Sequence, residues 1–164
     1  TDPDARLMRK GQGKEAKLSF AGHGIIENRN GILVAIEVTS ATGTAEREAA
    51  LTMLDGLDPP RGATIAADKG YDTRGFVQAC RDRDLVPHVA QKSRYSAVDG
   101  RTTRHPTYGV SQRIRKRVEE VWGWAKTFGG LKRTRFRGLE KTRFAAQLIG
   151  AAYNLVRIAR LVAV

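Results

Sequence analysis

One cysteine, Cys80, stands in 164 residues, so no internal disulfide can form and the chain suits a reducing cytoplasm. A cysteine nucleophile needs a histidine partner, and nothing in the sequence sets His23, His88 or His105 beside it. Among Phe76, Val77 and Ala79 it reads instead as a small core thiol. Long apolar runs are absent too. The longest near the C-terminus, Phe144 to Val156, is interrupted by Gln147 and Asn154 and flanked by Arg143 and Arg157, too short and too polar to span a bilayer. No secretory signal pattern opens the chain, and there is no internal repeat or low-complexity tract. Acids are scarce: 17 Asp and Glu against 29 Lys and Arg leave a net charge of +12.

What is present fits one domain with a buried core, since 41% of the residues are hydrophobic. The charge is concentrated. Residues 101–143 hold thirteen Lys or Arg against Glu119, Glu120 and Glu140, about +10 by count. Such clustering suits a polyanion, because neutralised phosphates release their counterions. A solvated face or a membrane-surface patch is the plainer alternative.

The pattern alternates strand and helix. Thr1 to Lys14 is polar, with no initiator Met, and reads as an irregular lead-in over residues 1–16 from the middle of a longer chain. Lys17–Glu27 and Ile32–Thr39 read as a hairpin joined through Asn28-Arg29-Asn30-Gly31, whose Asn-Gly is a turn signal because both residues tolerate positive φ. Alternation in the second strand predicts that Ile32, Val34, Ile36 and Val38 share the buried face. A helix follows Thr44, and Asp58-Pro59-Pro60-Arg61-Gly62 ends it. Ala63–Ala67, a helix from Arg74 to Asp84 and a Pro87-bearing strand over Leu85–Ala90 predict a right-handed crossover and a parallel pair. Residues 91–110 read as loop. A helix capped by Ser111 carries the stripe Ile114, Val118, Val121, Ala125 and Phe128 up to Gly129-Gly130. A last helix, Lys141 to Leu161, offers Phe144, Leu148, Ile149, Ala152, Leu155, Val156 and Val162 as its packing face. The fold class is α/β.

Two acids stand out. Asp68 ends the apolar run Ala66-Ala67, and strand ends in α/β sheets are where functional groups are commonly mounted. An Asp capping the turn through Gly70 is the plainer reading, and Asp72 suits the start of the next helix. On a continuous helix Arg115, Glu119, Trp122 and Lys126 fall within about 60° of one another. Glu119 then borders the packed side, while Glu120 turns to water. An ordinary Arg115–Glu119 ion pair accounts equally well for that spacing. Trp122 reads as a packing residue before a base-stacking platform. Glu37 is the other strand acid that a metal site would draw on.

The runs Ala67-Asp68-Lys69-Gly70-Tyr71-Asp72, Asp99 through His105, and Arg113 through Lys126 continuing to Leu139 closely resemble DDE transposases of bacterial insertion sequences, in the fourth-and-fifth insertion-sequence group. The likeness extends over Thr42 to Glu48 and Ala151 to Arg157, so it covers essentially the whole chain. It implies a ribonuclease H-like mixed sheet flanked by helices, and three carboxylates holding two Mg²⁺ ions. Asp68 then corresponds to the second carboxylate and Glu119 to the third, as catalytic and metal-binding residues. Arg115, Lys126, Lys132, Arg133, Arg135 and Arg137 become contacts to double-stranded DNA, both inverted-repeat ends and target, and a second copy of the chain is a candidate partner. The group's helix signature has Tyr where this chain has Gln112. The strand bearing the group's first Asp precedes a segment like Thr1–Arg6 and is absent, and neither Asp2 nor Asp4 suits the vacancy. The resemblance therefore implies a bacterial, cytoplasmic transposase catalytic domain lacking its first strand and inactive alone. A basic remnant that binds DNA without catalysis is the alternative.

Overall fold

The computed structural model describes residues 2–9, 11 and 13–163. The fold is mixed α/β and divides into two compact units, one made of residues 1–53 with 118–164, the other of the continuous segment 54–117.

The first unit is built on antiparallel strands: β1 (Arg6–Arg9), β2 (Ala16–Glu27) and β3 (Ile32–Ser40). Gly31 takes φ +72° at the β2–β3 turn while Asn30 keeps negative φ, and the turn closes more widely than an Asn-Gly pair alone would make it, with Gly31 N donating to Glu27 O at 2.9 Å. The lead-in is not wholly irregular, because Arg6–Arg9 pairs with Ala16–Ser19 of β2, while Phe20–Glu27 pairs with β3. The buried face of β3 also departs from simple alternation. Ile25 lies opposite Ala35 but Ile26 opposite Leu33, so Val34 is an extra residue in a bulge. Past the bulge the faces exchange: Leu33 is buried and Val34 exposed.

Helix α1 (Ala45–Leu57) follows, its first N–H satisfied by the Thr42 hydroxyl at 3.1 Å. Helices α5 (Val118–Thr127) and α6 (Leu139–Val162) complete the first unit, with α5 against β2 and α6 against β3. The helix–sheet approach is close because small residues allow it. A Cβ on Gly22 would stand 2.8 Å from the Trp122 ring, and one on Gly150 2.8 Å from Leu33 Cδ2. The Asn154 amide accepts from Leu33 N at 2.9 Å and donates to Leu33 O at 2.7 Å, so α6 satisfies both backbone groups of that residue.

The face by which α6 packs is not the apolar one read from its sequence. Thr142, Ala145, Ala146, Gly150 and Tyr153 are buried, whereas Phe144, Leu148, Leu155, Val156 and Val162 are exposed. Phe128 on the α5 stripe is likewise exposed, lying past the last helical turn. The start of α6 is capped from far away. Asp2 accepts from Gly138 N at 2.8 Å and Asp4 from Leu139 N at 2.9 Å, placing two carboxylates at the positive end of the helix. The bond from Gly138 lowers the pKa of Asp2.

The second unit holds β4 (Thr64–Ala67) and β5 (Val86–Val89), a parallel pair joined through α2 (Arg74–Asp82). Thr64 lies opposite Val86 and Ala67 opposite Val89. Pro87 sits on a strand with one described neighbour, where a missing N–H is tolerated. Cys80 faces the interior of α2, fully buried, and burial pushes its thiol up to about 11. It is an inert core residue.

The stretch read as loop contains helical turns: α3 (Gly100–Thr103), and α4 (Tyr108–Ile114), which begins before Ser111. Ser111 is no cap. Its hydroxyl is buried 2.7 Å from His88 Nδ1, and the Tyr108 hydroxyl donates to Val89 O at 3.0 Å, so one face of α4 is hooked to β5. A 3-10 turn over Arg115–Arg117 separates α4 from α5, so the single helix expected from Ser111 to Phe128 is broken.

Candidate active site

Asp68 caps the 3-10 turn Lys69–Tyr71 that follows β4, accepting from Gly70 N at 2.7 Å through Oδ1. Its side chain is exposed. Four residues on, Asp72 closes the same turn but is 1% exposed, and its carboxylate accepts four bonds. These come from Lys92 N, Ser96 Oγ and Ala97 N at 2.7 Å each and from Val98 N at 3.2 Å. Burial alone would raise its pKa; the bonds from Lys92, Ser96, Ala97 and Val98 outweigh that and hold it below the ordinary carboxylate range. The start of α2 expected at Asp72 falls instead to Thr73, whose hydroxyl accepts from Phe76 N. Asp72 is thus an internal latch binding the 92–98 loop to the turn, and that latch fixes the position from which Asp68 projects.

Glu119 lies in the first turn of α5, exposed beside exposed Glu120, so burial does not separate the two acids as the helix wheel implied. Within α5, Glu119, Trp122 and Lys126 keep their common face; the 3-10 turn takes Arg115 out of that regular series. Arg115 is half-buried, and its Nε donates to Gln112 Oε1 at 3.2 Å. Gln112 in turn donates to His88 O at 2.6 Å. The residue that departs from the expected Tyr therefore ties Arg115 to β5. Trp122 lies against Gly22 and Gly24 of β2, as a packing residue.

Other acids are committed elsewhere. Glu37 pairs with Arg143 of α6, and Asp2 and Asp4 cap that helix. Asp99 caps α3 and binds Arg101 and Arg81; chiefly the Arg101 guanidinium holds it at about 2. Among the described residues no three His, Cys, Asp or Glu side chains gather as a metal site requires. Asp68 and Glu119 have the hard oxygen donors that suit Mg²⁺, but two exposed carboxylates, one from each unit, are too few for a site holding two ions.

Basic side chains collect after α5. Lys126, Lys132, Arg133, Arg135 and Arg137 are all exposed. Lys132, Arg133 and Arg135 line an open groove of about 450 Å³ together with Phe128, Phe136 and Ile149. The transposase DDE domain family matches residues 3–155. This chain belongs to that family. No curated protein and no solved structure matches it. Members of the DDE family act on DNA and generally employ divalent metal, which gives the exposed carboxylates and the basic surface a common context. No helix among the described residues is long and apolar enough to cross a membrane.

The sequence missed the latch role of Asp72, the capping roles of Asp2 and Asp4, and the tether formed by Gln112. All of them rest on contacts 20 or more residues away, for which no local pattern exists.

Proposed function

We propose that this chain is the greater part of a transposase catalytic domain of ribonuclease H-like design. In it Asp68 and Glu119 supply two of the three carboxylates of a Mg²⁺ site for cleaving and joining DNA at insertion-sequence ends. The observation that carries the reading is the contrast within one family motif: Asp72 is consumed by the fold, while Asp68, on the same turn, is left exposed. A strand end that presents an exposed carboxylate is a suitable mount for a metal ligand. Arg115, Lys126, Lys132, Arg133, Arg135 and Arg137 hold the phosphate backbone in this reading.

The donor set is short of one carboxylate, so no chemical step is assigned to the chain by itself. On terminal-inverted-repeat DNA with Mg²⁺ it leaves the strands intact, and cleavage and strand transfer arise when an upstream segment bearing the family's first Asp is supplied in trans. Robust cleavage by the chain alone, or none with the segment present, contradicts the reading. The same shortage favours a second reading, a DNA-binding remnant without catalysis. That version is distinguished by DNA affinity and a complemented reaction that are both indifferent to Asp68→Ala and Glu119→Ala.

A further inference from the structure

The loop that joins α5 to α6 holds aromatic rings in water beside cations without partners. Phe128 is 80% and Phe136 51% exposed, and between them stand Lys132, Arg133 and Arg135, none with a hydrogen bond or ion pair among the described residues. Other guanidinium groups are spent inside the fold, Arg83 on Asp55 and Arg143 on Glu37 and Glu140. The two rings and three cations line one groove of about 450 Å³, within the ~300–1,000 Å³ of small-ligand sites, together with Ala145 and Ile149 of α6 and with no acid in its wall. The loop is fixed at both ends. Phe128 N donates to Trp124 O at 2.8 Å and Leu131 N to Ala125 O at 3.0 Å, a Cβ on Gly129 would stand 2.5 Å from Ile149 Cγ2, and the far end enters α6 under the caps of Asp2 and Asp4. The Phe128 ring leans on Trp124, with centroids 6.1 Å apart, which sets its angle.

The geometry points to a site for single-stranded DNA, in which an unpaired base stacks on Phe128 or Phe136 while Lys132, Arg133 and Arg135 take the phosphates on either side. A duplex would use only half of this groove. Its phosphates suit the cations, but its bases are stacked on one another and present no free face to a ring. Rings flanked by cations along a groove are how sequence-tolerant single-strand sites work, since every base has a π-face. Cations alone would serve a bare phosphate, and then the two phenylalanines would gain nothing by standing in water. This extends the proposed DNA role of Lys132, Arg133 and Arg135 and rests on it: the strand they meet here is frayed or displaced rather than paired.

Fluorescence anisotropy of the full chain, without divalent metal, tests this with a labelled single strand of about 12 nucleotides, the duplex of the same sequence and an abasic strand of the same length. The base-bearing strand is expected to bind about tenfold more tightly than the abasic one, the worth of one stacked base. Phe128→Ala with Phe136→Ala removes that tenfold, while duplex affinity, circular dichroism and the thermal midpoint stay unchanged. Phe128→Tyr with Phe136→Tyr keeps the ring faces and retains it. Arg133→Ala with Arg135→Ala weakens the base-bearing and abasic strands alike, lowering the salt slope by about 0.7 for each arginine. An abasic strand that binds as tightly as the base-bearing one, or a double alanine variant that loses strand and duplex equally, overturns the single-strand assignment with DNA binding intact. Displacement of the strand by a peptide of glutamate and phenylalanine at equal concentration overturns it as well. A chain that binds none of the three DNAs overturns this assignment and the DNA role beneath it together.

Discussion

The two units are held by different physics. In the first, helices lie on an antiparallel sheet through small-residue contacts: Trp122 over Gly22 and Gly24, and Gly150 against Leu33. In the second, a short parallel pair is fastened by buried polar groups: Asp72 gathers the 92–98 loop, and α4 reaches β5 through Tyr108, Ser111 and Gln112. A four-residue strand pair buries little surface, so polar latches replace the packing it cannot supply. The expected consequence is that shape changes damage the first unit, and changes of charge or acceptor damage the second.

The largest effect is expected from Asp72→Ala. It strands four donors, Val98 N buried and the other three half-buried, and should cost about 3 kcal/mol, with faster amide exchange in residues 64–103 and little change in the sheet of the first unit. Exchange spread evenly over both units would dissolve the comparison. Gly22→Val makes the reverse test. Its side chain enters the space of the Trp122 ring, at an expected cost of about 2 kcal/mol felt in β2 and α5.

Acid sharpens the contrast further, because each unit buries one histidine. Burial lowers the pKa of His88, with repulsion from His105 adding to it; burial also lowers that of His23, against an opposing pull from Glu37. His23 Nε2 has Thr39 Oγ1 at 2.8 Å, whereas His88 Nε2 is buried without a partner among the described residues. Both rings are neutral in the fold. Their contribution is therefore complete above the unfolded value of about 6.5 and is lost as pH falls below it through the depressed folded values. The thermal midpoint should fall with pH in that window, and His88→Gln should flatten the fall more in exchange from the second unit than His23→Gln does. The smallest effect belongs to Asp68→Asn. It keeps an oxygen for Gly70 N, so stability should move by no more than about 0.5 kcal/mol in a thermal melt. A large loss would make Asp68 a structural residue like Asp72.

Local patterns in the chain carried much of this architecture. The Asn30-Gly31 hairpin, α2 and the parallel β4–β5 pair stand where alternation and turn chemistry place them. The packing face of α6 was not legible, for a definite reason. Hydropathy favours Phe144, Leu148 and Leu155, yet α6 meets the bulged β3 with the face that holds Ala146 and Gly150, small residues that allow close approach, and Tyr153. Nor does the basic run Arg115-Lys116-Arg117 announce that a helix stops there. For the candidate site, the strand end and the helix bearing the two acids were visible in sequence. The fate of Asp72 was not, since its partners lie 20 to 26 residues away.

The caps that Asp2 and Asp4 place on α6 also bear on how the molecule is made. Its first unit draws on stretches to either side of the continuous segment 54–117. During translation the first unit cannot close until α6 has followed residues 54–117 off the ribosome and found its acids. Replacing Asp2 and Asp4 together by Ala should therefore loosen a helix more than 130 residues further along the chain.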